Sequence, residues 1–268
     1  MQRMDNTIPT TLTEQLFQAR AELERHLSET ILAIHLFGSA IEGGLKPFSD
    51  IDLLVTVNDT PTEAVRRALM KGLLAVSRPP GEDVSLRPLE VTVLAHSQVV
   101  PWRYPPRREL QFGEWLRRDL QSDLFEQPTL DHDLAILLTN IRQHSVSLKG
   151  PEAKTLFDPV PRADLVRSLQ DTVAQWNEPD DWAGDERNIV LALARCWYTA
   201  STGEIASKDT ATDWLLDKEQ GSNRTLLSKA RAAYLGEAKD DLACYPAEVA
   251  AFVIHARRSV EQLCGNLQ

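Results

Sequence analysis

The sequence predicts an α+β protein in which a strand-containing N-terminal domain precedes a C-terminal α-helical bundle. Three short apolar runs rich in β-branched residues occur in the first third of the chain, and such runs are typical of strands. Beyond about Leu110 these runs end, and apolar residues recur at helical spacing instead. With 268 residues, the chain has room for two domains of ordinary size.

The elements of the N-terminal domain are predicted in alternating order. Residues 11–28 show helical spacing, and the apolar run ILAIHLF predicts the first strand. A glycine-rich turn separates this strand from the second, IDLLVTV. The stretch VNDTPTEAVRRALMKGLLAV has apolar residues at helical spacing behind a Thr/Pro start, so it predicts a helix. The run LEVTVL predicts a third strand.

Helices are predicted through the rest of the chain. Helical periodicity is clearest in four segments, at residues 131–144, 162–176, 186–202 and 247–263. The proline-rich stretch VVPWRYPPRREL is expected to link the last strand to the first helix beyond it. We place the domain boundary near Leu156, which gives domains at residues 1–156 and 157–268.

The composition excludes several classes of protein. Apolar residues make up 43% of the chain and charged residues 25%, as in ordinary globular proteins. Cys196, Cys244 and Cys264 are odd in number and far apart, so neither a disulfide framework nor a cysteine metal site is expected. No apolar run approaches the roughly 20 residues of a membrane span, and MQRMDNTIPTTLTEQLF lacks the apolar core of a signal peptide. We therefore expect a cytoplasmic protein with no membrane partner.

The charge balance bears on the choice of partner. A formal net charge of −10 opposes binding to nucleic acid, because affinity for phosphate backbones comes from clustered Lys and Arg. Arg103, Arg107 and Arg108 form a small basic patch beside WRYPP, but the overall charge disfavours a nucleic-acid partner. An acidic protein is better suited to a cationic small molecule.

Two carboxylates open the second strand. Side chains on a strand alternate between its faces, so Asp50 and Asp52 are expected on one face and Ile51 in the core. Magnesium prefers one or two carboxylates together with substrate phosphates and waters. The pair therefore favours a magnesium site completed by a nucleoside triphosphate, although an Asp-x-Asp alone also occurs as a turn or cap feature.

A phosphate-holding turn precedes these carboxylates. Gly38 allows the backbone to approach a phosphate closely, and Ser39 offers a hydroxyl and an amide. Ser49 supplies a further hydroxyl next to Asp50. Lys46 is interpreted as a solvated loop lysine, with phosphate contact as the alternative.

A third carboxylate lies among apolar neighbours in the strand LEVTVL. A charged side chain in a buried strand needs a partner or a chemical purpose, and Glu90 would complete a three-carboxylate site. Two metals held by three acids stabilise the attacking and leaving oxygens of a phosphoryl displacement. Glu90 is also placed to take a proton from an acceptor hydroxyl. The alternative is an edge-strand carboxylate without a chemical role.

The order of these features resembles the signature of the DNA polymerase β-like nucleotidyltransferases, which is Gly-Ser, then Asp-x-Asp, then a strand carboxylate. Within that superfamily the chain is similar to the aminoglycoside (3″)(9) adenylyltransferases, enzymes of streptomycin and spectinomycin resistance. Stretches from both halves of the chain carry this resemblance: IHLFGSAIEGGLKPFSDIDLLVTV, LEVTVL, VPWRYPPRRELQFGEWLR, GDERNIVLALARCWYTASTGEIASKDTATDWLL and ARAAYLG. It implies an N-terminal mixed-sheet nucleotidyltransferase domain and a helical domain that contributes to ATP and aminoglycoside binding.

The resemblance also implies roles for individual residues. The metal-binding and catalytic carboxylates match Asp50, Asp52 and Glu90, and the triphosphate loop matches Gly38, Ser39 and Ser49. In the family, three positions of the helical domain contact ATP, and the residues of this sequence that match them are Arg195, Lys208 and Tyr234. An ion pair with an acid remains an alternative for the arginine, and core packing for the tyrosine.

Two further positions match residues that such enzymes use around streptomycin. These are Trp115 and Asp185, with a helix-core residue and a helix cap as their structural alternatives. Asp180, Asp181 and Glu186 add to an acidic cluster suited to ammonium or guanidinium groups, or to solvation alone.

The resemblance implies transfer of AMP from ATP to the 3″ hydroxyl of streptomycin and the 9 hydroxyl of spectinomycin, with release of pyrophosphate. The implied cofactor is a pair of Mg²⁺ ions, and we expect a monomer. The alternatives are a nucleotidyltransferase acting on a protein or RNA, and a non-catalytic nucleotide-binding or toxin-neutralising module.

Three histidines are not expected to bind metal. His35 is predicted to be a core histidine, and His132 and His144 lack the spacing of metal ligands.

Overall fold

The computed structural model describes residues 10–82 and 85–266, so the first nine residues of the segment inspected for a signal peptide lie outside it. The chain divides into two compact units, Met1–Pro159 and Val160–Gln268. Among the described residues, no helix is both long and apolar enough to cross a lipid bilayer.

The first unit is built on a five-stranded mixed sheet. Its strands are β1 (Ile31–Phe37), β2 (Ile51–Val57), β3 (Leu89–Ala95), β5 (Leu110–Phe112) and β7 (Val146–Lys149), in the spatial order β5-β3-β2-β1-β7. β2 and β3 run parallel, and every other neighbouring pair is antiparallel. A second sheet pairs the short strands β4 (Arg107–Arg108) and β6 (Thr129–Leu130). The predicted mixed sheet is confirmed.

Helices complete the first unit. They are α1 (Thr13–Leu27), α2 (Glu63–Ala75), α3 (His96–Val99), α4 (Arg117–Gln121), α5 (Leu134–Gln143) and α6 (Ala153–Leu156). The apolar residues of α1 and α2 pack in one core with the alternate strand residues Ile51, Leu53 and Val55. Because side chains alternate along a strand, the residues between them belong to the opposite face of the sheet.

The sequence-based prediction was wrong about where the sheet ends. Two of its five strands, β5 and β7, lie at or beyond Leu110, where only helices were expected. The stretch VVPWRYPPRREL likewise contains β4 and is not only a link to a helix. Strands of two to four residues are too short to display a period, so the tertiary pairing determines their structure.

The second unit is entirely helical in its described residues, which confirms the predicted bundle. Its α-helices are α7 (Arg162–Val173), α8 (Glu186–Thr202), α9 (Lys208–Leu216), α10 (Gly221–Leu235) and α11 (Pro246–Gly265). α8 packs against each of the other four. Gly203 and Gly236 end α8 and α10 in the left-handed conformation that glycine adopts without a steric penalty.

Candidate active site

The register of β2 and β3 brings two of the predicted carboxylates side by side. Asp52 of β2 pairs directly with Glu90 of β3, and Phe37 at the end of β1 pairs with Asp52 from the other side. Neighbouring strands lie about 4.8 Å apart, and paired residues point to the same face. Both carboxylates are half-buried, whereas the strand residues that flank them, such as Ile51 and Leu89, are buried in the core.

Gly38 closes one side of this carboxylate pair. It follows β1 with φ +67°, in the left-handed region, and starts a short 3₁₀ turn that includes Ser39. A Cβ atom at Gly38 would overlap the Asp52 carboxylate. The backbone therefore approaches Asp52 at a distance that only glycine permits. Ser39, half-buried, is the next residue of the turn.

The turn before Asp50 is held by side-chain contacts. Ser49 is buried, and its Oγ accepts a hydrogen bond from Lys46 N at 3.0 Å. Arg87 Nη1 donates to Lys46 O at 2.9 Å and to Ser49 O at 3.0 Å, which fixes both ends of the turn. A hydroxyl donates as well as accepts, so Ser49 retains a proton for a phosphate oxygen. Lys46 Nζ donates to Gly43 O at 2.6 Å, so the loop-lysine interpretation fits its position.

The carboxylates have the chemistry of a magnesium site. Asp50 is half-buried immediately before the strand that carries Asp52. Within residues 10–82 and 85–266, no three His, Cys, Asp or Glu side chains are arranged as a metal site. Magnesium, however, is usually bound by one or two carboxylates plus substrate phosphates. The oxygen donors of Asp52 and Glu90 fit an ion that arrives with a triphosphate.

Sequence reasoning missed a residue that contacts Glu90. Gln111 of β5 pairs with Thr92 of β3, and its Nε2 donates to Glu90 Oε1 at 3.2 Å. The alternation of polar and apolar residues in ELQF fits this strand, but four residues are too few to predict it. Arg108 Nη1 in turn donates to Gln111 Oε1.

Arg108 is not part of a solvated basic patch. Its Nη1 lies 2.8 Å from Asp131 Oδ2, and the two side chains are only 16% and 12% exposed. Burial raises the pKa of the Asp131 carboxyl, and the positive charge of Arg108 opposes that rise.

The three ATP candidates of the second unit lie in one cluster. Arg195 of α8 donates from Nε to Ala206 O at 3.1 Å, two residues before Lys208. Lys208 Nζ lies 5.6 Å from the ring centroid of Tyr234 in α10, a cation–π contact. Lys208 and Tyr234 thus contact each other, and Arg195 contacts the backbone two residues before Lys208.

Trp115 is not a core residue. It belongs to the 3₁₀ turn Glu114–Leu116 of the first unit and is 58% exposed. Its indole covers Gly113, where an added Cβ would overlap the ring. An exposed aromatic face is available for contact with a ligand.

Asp185 lies at the N-cap position of α8 in the second unit but makes no capping hydrogen bond. Its Oδ1 instead accepts from Asn188 Nδ2 at 2.6 Å. Asp181 behaves differently, because its carboxylate accepts from the backbone of Glu178 at 2.9 Å and of Asn177 at 2.6 Å. These two bonds lower the pKa of Asp181. Asp181 is therefore a turn-capping residue, whereas Asp185 makes no cap; Asp180, Asp181 and Asp185 are all exposed.

Three histidines were predicted to have no metal-binding role. His35 is fully buried, with Nε2 3.1 Å from Pro151 O, and burial lowers its pKa. His144 Nδ1 lies 3.2 Å from Glu42 Oε1, and His132 Nε2 lies 3.4 Å from Asp133 Oδ1. Each therefore makes a structural contact of its own.

Comparison with known proteins gives the class of the protein. A family model described as the nucleotidyltransferase domain matches residues 17–119, which contain Gly38, Asp50, Asp52 and Glu90. The chain therefore contains a nucleotidyltransferase domain. A second model, the C-terminal domain of aminoglycoside adenylyltransferase, matches residues 155–259.

Relatives along the full length give the particular family. An aminoglycoside (3″)(9) adenylyltransferase of Escherichia coli is 49% identical over 98% of this chain and 100% of its own length. The chain belongs to the aminoglycoside (3″)(9) adenylyltransferase family. A spectinomycin 9-adenylyltransferase of Staphylococcus aureus is 40% identical over 96% of this chain and 98% of its own. A crystal structure of spectinomycin adenyltransferase AAD(9) from Enterococcus faecialis, with ATP and spectinomycin, superposes with a TM-score of 0.85 at 28% identity, covering 92% and 98% of the two chains.

Proposed function

We propose that this chain transfers AMP from ATP to the 3″ hydroxyl of streptomycin and the 9 hydroxyl of spectinomycin, releasing pyrophosphate and conferring resistance to both drugs. The observation that carries the proposal is the direct pairing of Asp52 with Glu90 beside Gly38. It occurs in a chain that is 49% identical, over 98% of its length, to an enzyme whose name gives both the 3″ and the 9 positions.

Glu90 acts as the general base in this proposal. It takes the proton of the acceptor hydroxyl, and the resulting oxygen attacks the α-phosphorus of ATP. The bond from that phosphorus to the bridging oxygen breaks in line, and pyrophosphate leaves. AMP is then joined to the drug through a phosphodiester, and no covalent enzyme intermediate forms.

The other proposed roles are the binding of the substrates and of the metal. Asp50, Asp52 and Glu90 would hold two Mg²⁺ ions, which neutralise charge on the triphosphate when bound. Residues 1–156 form the nucleotidyltransferase domain, and residues 157–268 contribute to the binding of ATP and drug. The proposed ATP ligands are Gly38, Ser39, Ser49, Arg195, Lys208 and Tyr234, and the proposed drug ligands are Trp115, Asp185 and Glu90.

We further propose that the enzyme acts as a monomer in the cytoplasm, where its small-molecule substrates meet. Nucleic acid and membrane have no part in the reaction, in keeping with the net charge of −10.

Incubation of the protein with ATP, Mg²⁺ and a panel of aminoglycosides tests the proposal. We expect pyrophosphate and a product with the mass of drug plus AMP for streptomycin and spectinomycin. Asp52→Ala is the matched control and should give neither product. Labelling of added protein or RNA by α-³²P-ATP, without drug-AMP, would favour the other acceptors. ATP binding without pyrophosphate release would favour a non-catalytic module.

A further inference from the structure

β5, the strand next to β3, supplies a hydrogen bond to Glu90. The residue that makes it is not among the proposed metal or substrate ligands. Gln111 Nε2 donates to Glu90 Oε1 at 3.2 Å, while Gln111 Oε1 accepts from Arg108 Nη1. We propose that Arg108 and Gln111 are positioning residues that hold the Glu90 carboxylate in the orientation needed for proton transfer. This inference rests on the proposed role of Glu90 as the base.

The orientation of the Gln111 amide follows from the chemistry of its two neighbours. A carboxamide has a donor end and an acceptor end of similar size, so either end can face a carboxylate. A guanidinium only donates, so Arg108 accommodates only the oxygen end of Gln111. A reversed amide would set NH₂ against the guanidinium and oxygen against Glu90, and both contacts would be repulsive. Arg108 therefore determines that Gln111 presents its N–H to Glu90.

Arg108 is itself held in place. Its partner Asp131 lies at 2.8 Å, and both side chains are largely shielded from solvent, so salt screens this ion pair less than an exposed one. The backbone of Arg108 also pairs with Thr129 across the small sheet. Glu126 lies 3.6 Å from Arg108, but its side chain is 49% exposed, and exposed pairs contribute little. The positioning series thus runs from Asp131 through Arg108 and Gln111 to Glu90.

A hydrogen bond to Oε1 restricts rotation of the Glu90 carboxylate about its side chain. Displacement of a reacting group by about 1 Å can slow catalysis about a hundredfold. Groups that orient catalytic or ligating side chains commonly account for about ten- to a hundredfold in activity. Loss of the Gln111 donor should therefore reduce the rate of transfer without removing either substrate site.

Substitution of Gln111 tests this with kinetics. Gln111→Met preserves the length of the side chain but removes the donor and the acceptor, and Gln111→Leu removes both with a shorter side chain. For each variant we expect kcat to fall about ten- to a hundredfold, with little change in KM for ATP or drug and a melting temperature close to wild type. Glu126→Gln is the control and should keep wild-type kcat. Wild-type kcat in both Gln111 variants would overturn the proposal, as would a parallel loss in Glu126→Gln.

A double-mutant cycle tests whether Arg108 acts through Gln111. Arg108→Lys should lower kcat in the wild-type background and have no further effect in Gln111→Leu. Additive losses would contradict the series, because they would show that Arg108 acts independently.

A measurement without substrates separates this inference from the proposed function. In protein labelled with ¹⁵N at glutamine, the side-chain amide resonance of Gln111 should move in Glu90→Ala and stay unchanged in Glu126→Gln. A Gln111 resonance that is unmoved in Glu90→Ala would refute the contact, even if drug is adenylylated. A moved resonance in a protein that adenylylates no drug would support the contact while the proposed function fails.

Discussion

Gly38 combines two constraints that can be tested separately. Its φ of +67° disfavours any L side chain, and an added Cβ would overlap the Asp52 carboxylate. Gly38→Ala should therefore displace Asp52 and lower kcat about a hundredfold or more, as expected for a misplaced reacting group. Steady-state pyrophosphate release measures the loss.

Gly44 provides the matched control for this substitution. It has a similar φ of +77°, but nothing lies within 4 Å of the position of its Cβ. Gly44→Ala introduces backbone strain of roughly 1–2 kcal/mol without disturbing Asp52. It should lower the melting temperature and leave kcat near wild type. Equal losses of kcat in both alanine variants would show that position 38 requires glycine because of backbone strain and not because of the close approach to Asp52.

Glu90→Gln separates proton transfer from binding. Glutamine keeps the shape of the side chain and one oxygen, but it cannot accept a proton at neutral pH. Transfer should slow at least about a hundredfold, the usual worth of a general base, while calorimetry should still detect binding of ATP and drug. Turnover at the wild-type rate would eliminate Glu90 as the base.

Trp115 and Asp185 are predicted to distinguish the two drugs. Streptomycin is long and carries two guanidinium groups, whereas spectinomycin is compact and has none. An exposed indole and an exposed carboxylate offer cation–π and charge-assisted contacts to guanidinium. Trp115→Ala or Asp185→Asn should reduce kcat/KM for streptomycin about ten- to a hundredfold, equivalent to about 1–3 kcal/mol, and largely spare spectinomycin.

Asp181→Asn is the control for this selectivity. Its carboxylate caps a turn four residues before Asp185, and the amide oxygen of asparagine can still accept these bonds. The substitution therefore removes only a nearby negative charge and should leave the ratio of kcat/KM for the two drugs unchanged. A parallel loss of both activities in Trp115→Ala and Asp185→Asn would contradict the selectivity model.

At the scale of elements, α8, α9 and α10 together form the proposed ATP cluster of the second unit. Lys208→Met removes the charge but keeps most of the aliphatic stem, so KM for ATP should rise about tenfold, as for one lost contact with a phosphate. Lys218, just beyond the other end of α9, makes the same kind of contact, 4.5 Å from the ring centroid of Trp214. Lys218→Met should leave KM for ATP unchanged. An equal rise in both variants would point to a general loss of charge or structure.

The three longest strands could be predicted because each is a seven-residue run with an uninterrupted apolar face. β5 and β7 were missed, since three or four residues in LQF and VSLK carry little periodic signal without their neighbours. The same limitation hid Gln111 from the predicted site. The shared face of Asp52 and Glu90 could be predicted, because each lies on a strand whose alternate residues are apolar and buried. That burial determines which face of the sheet each carboxylate occupies.

At the scale of the whole molecule, the substrates are expected to bind cooperatively. ATP carries negative charge, and the acceptor drugs are cationic, so bound ATP with Mg²⁺ should strengthen drug binding about fivefold or more, within the usual range of coupling energies. Titration of spectinomycin into protein with and without α,β-methylene-ATP measures this without turnover. Omission of Mg²⁺ is the control and should weaken the effect, because the triphosphate then has no metal through which to bind the carboxylates. Equal affinities in all titrations would show that the two sites are not coupled.

The pairing of Asp52 with Glu90 has a consequence for how this sequence tolerates insertions and deletions. Along β3, alternate residues belong either to the core or to the face of Glu90, as Val91 and Val93 lie in the core. After deletion of Thr92, no placement of β3 would keep both its core residues in the core and Glu90 beside Asp52, because a shift by one residue exchanges the two faces. Length changes in the connection between α2 and β3 leave this phase intact, so they should preserve activity better than insertions or deletions inside β3.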